Sequence, residues 1–269
     1  MKNGLEKAYS SSLKMDQRDH GRVVVKTVDA KERKNETFFH KKMSEMGLPS
    51  MSIHEEGEAI VLDFIENAET LGDNETADNY RLFGEAVRKM HAVKFNHPFY
   101  IDQEGKHKEI SWGTFIELCL SEGSDRQNKN SNGLDKNIVD LITTTVNASG
   151  IGNIDRSVLI HGDLHANNAL IKDQNIILFD KGDQIVAGDP MYDLALVAIN
   201  LPGAIYKLGT QIEKDIKLLK AFIEGYGIDF TPDTQKLEAY ILLRALERWP
   251  NPFEKEIPDI INAILGNDQ

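Results

Sequence analysis

Three short motifs between Ile160 and Ala195 constrain this chain more than anything else in it. They read Ile160-His161-Gly162-Asp163-Leu164-His165-Ala166-Asn167-Asn168, Ile176-Ile177-Leu178-Phe179-Asp180 and Gly188-Asp189-Pro190-Met191-Tyr192-Asp193-Leu194-Ala195. Asp163 follows the apolar run Val158-Leu159-Ile160 and falls in a turn that Gly162 keeps tight, a usual place for a reactive group held by rigid flanks. Asn168 comes 5 residues later, and Asp180 ends an apolar run 17 positions after Asp163. That is the equipment of phosphoryl transfer: one carboxylate to orient a hydroxyl, and an amide oxygen with a second carboxylate to hold Mg²⁺ against a triphosphate. Taken singly, Asp163 reads as a turn-former and Asn168 as a helix cap. It is the combination with Asp180 that favours chemistry.

Composition sets outer bounds. With 269 residues the chain can bury a large core as one bilobal unit or two small domains. A formal charge of −12, from 43 acidic and 31 basic residues, argues against a general nucleic-acid surface. It fits a cationic substrate, but solubility alone explains it as well. The single cysteine, Cys119, excludes an intramolecular disulfide and a cysteine-based zinc site, and its apolar surroundings mark it as a buried structural thiol. No apolar run approaches the roughly 18 residues of a membrane span, and Met1-Lys2-Asn3-Gly4-Leu5-Glu6-Lys7 lacks the apolar stretch of a signal peptide. A soluble cytoplasmic protein with no nucleic-acid or membrane partner is expected.

Periodicity supplies the elements. Arg22-Val23-Val24-Val25-Lys26-Thr27-Val28 follows the turn signal Asp19-His20-Gly21 and reads as a hairpin strand. Lys31 to Met46 reads as a helix stopped by Gly47 and Pro49. Met51 to His54 and Ala59 to Phe64 read as two strands. Helices are expected afterwards over Tyr80–Val93, Leu134–Val146, Met191–Asn200, Ile212–Tyr226 and Leu237–Trp249. The stretch from Ser124 to Gly133, without an apolar side chain, reads as an exposed loop. Asp189 suits a helix N-cap, with Pro190 in the first turn.

His-Gly-Asp-x-x-x-x-Asn, a strand ending in Asp, and Gly-Asp-Pro-x-x-Asp-Leu together resemble the aminoglycoside phosphotransferase and choline kinase family, small-molecule kinases with a protein-kinase-like fold. The resemblance implies an α+β, bilobal architecture: an N-lobe over 1–66 with a small antiparallel sheet that binds nucleotide, and a mainly helical C-lobe over 67–269. It implies ATP or GTP as co-substrate, Mg²⁺ as cofactor, and a small hydroxylated molecule as acceptor. It casts Asp163 as the positioning carboxylate, Asn168 and Asp180 as metal ligands, and His161, Asp189 and Asp193 as supports of the turn. Lys181, directly after the metal carboxylate, departs from the usual aromatic or small residue, and Asp183 reads as a solvated loop acid.

The same resemblance places Lys26 on the strand whose lysine meets the α- and β-phosphates. Glu36 on the next helix is its preferred ion-pair partner, with Glu32 as competitor. The phosphate-covering loop falls on Ser10, Ser11 and Ser12, without glycine. The hinge falls on Asp63 to Glu66, where backbone groups of Asp63 and Ile65 would meet the purine. Acceptor-side candidates are Glu247, Asp229, Asp233 and Glu238, with Trp249 as a wall. Arg244 and Arg248, one helical turn apart, suit an anionic acceptor instead, so the acceptor's charge stays open. A catalytically silent pseudokinase that acts as a binding or regulatory module is the alternative.

Overall fold

A computed structural model describes residues 13–18, 21–182, 185–227, 234–250 and 254–266. Strand β1 (Leu13–Arg18) pairs antiparallel with β2 (Gly21–Thr27), so the β-branched run is the second arm of a hairpin. Asp29 caps helix α1 (Ala30–Glu45), its side chain accepting the Glu32 N–H. Strands β3 (Ile53–Glu56) and β4 (Ala59–Asp63) complete an antiparallel sheet in the order β1-β2-β4-β3. Val23, Val24, Ile60, Val61 and Leu62 are its buried apolar residues, and part of this apolar layer rests on Leu170, Ile177 and Phe179 from beyond the sheet.

Short strands and long helices follow. Strand β5 (Glu69–Thr70) joins a three-stranded sheet with β10 (Ala169–Lys172) and β11 (Asn175–Leu178). Strands β6 (Lys94–Phe95), β7 (Phe99–Ile101), β8 (His107–Glu109), β9 (Ser157–Leu159) and β12 (Ala187–Gly188) form a five-stranded sheet. The helices are α2 (Ala77–His91), α3 (Trp112–Lys129), α4 (Lys136–Ala148), α5 (Met191–Ile199), α6 (Pro202–Tyr206), α7 (Ile212–Tyr226), α8 (Thr234–Arg248) and α9 (Ile257–Leu265). One core gathers α3, α4, α5, α8 and α9, and a second gathers α1, α2 and α7 with the central strands. This is the α+β, kinase-like arrangement expected of the chain. No helix among the described residues is long and apolar enough to cross a membrane.

Ser124 to Gly133 is not the exposed loop that its polarity suggested. Helix α3 runs on to Lys129, and Gln127 is buried. The Gln127 amide donates to the carbonyls of Leu246 and Trp249, and its oxygen accepts the Leu134 N–H. A polar side chain that satisfies three backbone groups replaces the apolar contact a helix normally uses to anchor its last turn.

His40 on α1 is fully buried, and neither ring nitrogen has a hydrogen-bond partner. Burial lowers its pKa to about 3, with His161 and Lys26 acting in the same direction. A histidine held neutral in the fold but protonated when unfolded draws the equilibrium toward unfolding as pH drops below about 6.5. His40→Leu should therefore shrink the stability lost between pH 7 and pH 5 by about 2 kcal/mol, as read from urea unfolding at the two pH values. An unchanged loss would mean that His40 is not the acid-labile group.

Candidate active site

The chain leaves β9 at Leu159 and turns at Gly162, whose φ of +81° requires glycine. Two main-chain N–H groups are exposed by that turn, and Asp193, fully buried on α5, takes both. Its Oδ2 accepts from His161 N at 2.7 Å and its Oδ1 from Gly162 N at 2.8 Å. Oδ2 also meets Nε2 of His91 at 3.1 Å, and His91 Nδ1 meets the Tyr226 hydroxyl at 2.8 Å. Burial disfavours the Asp193 charge, but these donors more than compensate and hold its pKa below the usual carboxylate range.

His161 lies behind the turn rather than in it. Its Nε2 donates to the Phe179 carbonyl at 2.9 Å, and its Nδ1 accepts the Asp163 N–H at 3.3 Å. Burial lowers its pKa, so the ring is neutral and serves as a strut between the turn and the end of β11. Gly182 closes the opposite side. Its N–H donates to His161 O at 2.9 Å, and a Cβ there would lie 2.8 Å from the Gly162 carbonyl carbon. Asp189 supports α5 and α8 instead of the turn itself. Its Oδ1 accepts the Met191 N–H at 2.9 Å and its Oδ2 the Tyr240 hydroxyl at 2.9 Å. The helix starts at Met191 as expected, with Pro190 rather than Asp189 as the cap residue.

Asp163, Asn168, Asp180, Lys26 and Glu36 form one connected group. Nδ2 of Asn168 donates to Asp163 O at 2.9 Å, to Asp163 Oδ2 at 3.1 Å and to Asp180 O at 3.5 Å. That orientation leaves the Asn168 amide oxygen for another partner. Asp180 has a φ of +55°, which aspartate tolerates better than most residues. The β10–β11 turn just before it has positive φ at Asp173 and Gln174, the backbone of a tight hairpin that fixes where β11 ends. Lys26 Nζ reaches Asp180 Oδ1 at 2.6 Å, Glu36 Oε2 at 3.0 Å and Glu32 Oε1 at 2.7 Å. Both candidate glutamates therefore meet the lysine: Glu36 from a buried position, Glu32 with its side chain 28% exposed. Burial opposes the Lys26 charge, yet Glu36 and Asp180 more than offset it and keep the ammonium protonated. Burial lifts Glu36 to about 7 against the pull of Lys26.

The hard oxygens of Asn168 and Asp180 suit Mg²⁺, which needs few protein ligands and keeps its own waters. Lys181 does not compete there. It is buried, and its ammonium donates to the carbonyls of Gly182 and Ile185, both at 2.6 Å. The Asp63 N–H is engaged with Ser52 O at 3.1 Å, which leaves the Asp63 carbonyl and Ile65 at the exit of β4. Ser10, Ser11, Ser12, Asp183, Asp229 and Asp233 lie outside the described residues.

On the acceptor side the contacts run through arginine. Arg248 Nη1 meets Asp163 Oδ1 at 2.5 Å, and its Nε holds Glu254 at 2.7 and 2.8 Å. Arg244 Nη2 donates to Gly162 O at 2.7 Å, while Nη1 binds Glu247 at 2.6 Å and the Tyr192 hydroxyl. Burial opposes the Asp163 charge, but His165, whose Nε2 lies 3.5 Å away, together with Arg248 and Arg244 hold its pKa far below the usual carboxylate range. Glu247 is buried against Arg244, and Trp249 donates to Asn132 O at 3.1 Å. Glu238 precedes Arg248 by ten residues on α8, about 15 Å along the axis, and stands away from the turn. Sequence reasoning missed His91, His165 and Gly182. His91 offers no signal at all in the last turn of an amphipathic helix, whereas the one-turn spacing of Arg244 and Arg248 was a visible cue to their shared face.

Asp193→Asn would turn an amide N–H₂ toward a backbone N–H, and should cost about 2–4 kcal/mol. Urea unfolding checks this, and a loss below about 0.5 kcal/mol, the usual surface value, would remove Asp193 from its role in holding the turn.

Comparison with known proteins identifies the family and the fold. The model of the phosphotransferase enzyme family matches residues 53–240. No curated protein matches the chain. Among solved structures, choline kinase from Streptococcus pneumoniae has a TM-score of 0.62 at 14% identity, over 97% of this chain and 84% of that one. An amicoumacin kinase in complex with AMP-PNP and Ca²⁺ has a TM-score of 0.64 at 12% identity, over 98% and 92%. An aminoglycoside-3'-phosphotransferase of type VIII has a TM-score of 0.60 at 16% identity, over 90% and 97%. At these identities the structural likeness is one of fold, whereas the family match spans most of the chain, both strands of the β10–β11 hairpin and every motif of the turn. The chain belongs to the phosphotransferase enzyme family and is a small-molecule kinase.

Proposed function

We propose that this kinase moves the γ-phosphoryl group of ATP or GTP to a hydroxyl of a small acceptor, with Asp163 as the residue that orients that hydroxyl. The observation that carries the reading is the connected group itself. Asn168 bonds both Asp163 and the backbone of Asp180, and Lys26 bonds Asp180 from the four-stranded sheet. A nucleotide gripped by Lys26 and an acceptor oriented by Asp163 would thus meet on one rigid frame, and positioning is most of what this chemistry asks of a protein.

In this reading residues 1–66 form the nucleotide lobe and 67–269 the catalytic and acceptor lobe. Glu36 steadies Lys26 for the phosphates, Ser10, Ser11 and Ser12 cover them, and Asp63 and Ile65 offer backbone groups to the base. Asn168 and Asp180 hold Mg²⁺, which when bound neutralises charge on the phosphate oxygens. His161, Asp189 and Asp193 keep the turn and its flanking helices in place. The reaction is balanced within the site. The acceptor oxygen forms a bond to the γ-phosphorus, the bond to the β–γ bridging oxygen breaks, and the hydroxyl proton passes late to Asp163. Its depressed pKa suits orientation better than strong basicity, as a loose transition state allows. The cytoplasm supplies the nucleoside triphosphate that this chemistry requires, and is the proposed compartment. Of the two departures that leave room for a silent binding module, Lys181 gives its ammonium to the carbonyls of Gly182 and Ile185, and the glycine-free serine tract lies outside the described residues.

An open cavity of about 220 Å³ lies beside Asp163. Asp163→Asn should retain Mg-ATP affinity within about threefold while turnover falls roughly 10²–10⁴-fold, the usual span for a positioned proton acceptor. Nucleotide binding by calorimetry and nucleoside diphosphate release, both against the unaltered protein, test the two halves separately. Turnover close to normal would remove Asp163 from the mechanism.

A further inference from the structure

We infer that the acceptor carries an anionic group, a carboxylate or its equivalent, close to the hydroxyl that is phosphorylated. The inference rests on the phosphotransferase reading and deepens it. The cavity next to the turn is lined by Arg126 from α3 and by Arg244, Glu247 and Arg248 from α8, with Asp163 and the glycines at its floor. Three guanidinium groups thus face the place where the acceptor hydroxyl must lie.

The two acids of that lining are already engaged. Glu247 is buried and bonded to Arg244 at 2.6 Å and to the Tyr192 hydroxyl at 3.2 Å. Asp163 is bonded to Arg248 at 2.5 Å. Glu254, outside the lining, grips the far side of Arg248. The cations are less completely matched. Arg126 is exposed, and its hydrogen-bond acceptor is the neutral Glu247 carbonyl at 2.7 Å. Nε of Arg244 is buried without any hydrogen-bond partner. An ammonium acceptor would enter beside the exposed Arg126 and find no unengaged carboxylate among the lining residues. A carboxylate would enter beside a guanidinium whose own partner is only a carbonyl, and planar forks of this kind recognise carboxylates in a bidentate way.

The Arg248–Asp163 bond gives the anion a second role. Oδ1 of Asp163, the oxygen that Arg248 occupies, is one of the two atoms that can receive the acceptor hydroxyl. The other, Oδ2, already takes the Asn168 amide at 3.1 Å. An acceptor whose anionic group draws Arg248 onto itself frees Oδ1 for its own hydroxyl in the same movement. The hydroxyl then attacks the γ-phosphorus, its proton passes to Asp163, and the nucleoside diphosphate leaves. A neutral or aminated analogue has nothing to exchange for Arg248 and must share that oxygen with it.

The test uses matched acceptors on one carbon skeleton: glycerate, glycerol and 3-aminopropane-1,2-diol, and gluconate, glucose and glucosamine. Nucleoside diphosphate release with Mg-ATP is measured for each and corrected for release without acceptor. The acid should exceed its neutral partner in kcat/KM by about tenfold or more in at least one set. Arg126→Gln should reduce that acid-to-neutral ratio about fivefold or more, mainly through the KM for the acid, and Arg126→Lys should restore part of it. A merely structural Arg126 would not move the ratio, and an unchanged ratio in Arg126→Gln overturns its assignment. Preference for the neutral or aminated member in every set that turns over, or no acid accepted in either set, overturns the inference. Turnover of a neutral or aminated acceptor alone would leave the phosphotransferase reading standing without it. Failure to bind either Mg-ATP or Mg-GTP would remove that underlying reading instead.

Discussion

One buried carboxylate holds the centre of this molecule. Asp193 is fully enclosed, yet its two oxygens take the main-chain N–H groups of His161 and Gly162 and the ring of His91. A turn sharp enough to present Asp163 cannot pair those N–H groups within its own strand, and leaving them unpaired in the interior would cost as much as a lost hydrogen bond each. Helix α5 supplies the acceptor from its first turn, where the dipole also favours negative charge. The turn that carries Asp163, the helix behind it and the end of α2 are therefore tied together by a single side chain.

Glycine serves the same end by subtraction. Gly162 and Gly182 bring the turns after β9 and after β11 into backbone contact, so close that a Cβ on Gly182 would lie 3.1 Å from the Asp163 nitrogen. Gly72 does this for Asn167, whose side-chain oxygen occupies the space a Cβ on Gly72 would need. Asn167 and Asn168 thus divide their work. The first is wedged against the short turn at Leu71–Asp73, and the second turns its amide to Asp163. The adjacency of two asparagines hides that division in the sequence, because both present the same chemistry one residue apart.

What the sequence makes legible is local. The β-branched run at Val23-Val24-Val25, the helix that follows it and the spacing of the three motifs are consequences of backbone geometry, and they appear in the structure within a residue or two. Long-range pairings that satisfy buried polar groups are not legible in that way. Gln127 reads as a loop residue because its value lies in carbonyls more than a hundred positions away. His91 and His165 carry no periodic signal, since each is chosen by a partner and not by a face. The choice between Glu32 and Glu36 has the same origin: one helical turn separates them, and Lys26 is long enough to meet both.

Charge shows most clearly how little a global sum says about one cavity. A chain with formal charge −12 invites a cationic substrate, and its C-terminal acids were natural candidates to receive one. Screening limits any exposed charge to about 8–10 Å in physiological salt, so the sum over the surface says little about a cavity enclosed by α3 and α8. Within that cavity the sign is set by which groups are already neutralised. Glu247 is neutralised by Arg244, Asp163 by Arg248, and Arg126 meets a carbonyl. The acidic excess lies elsewhere, and solubility accounts for it without reference to the substrate.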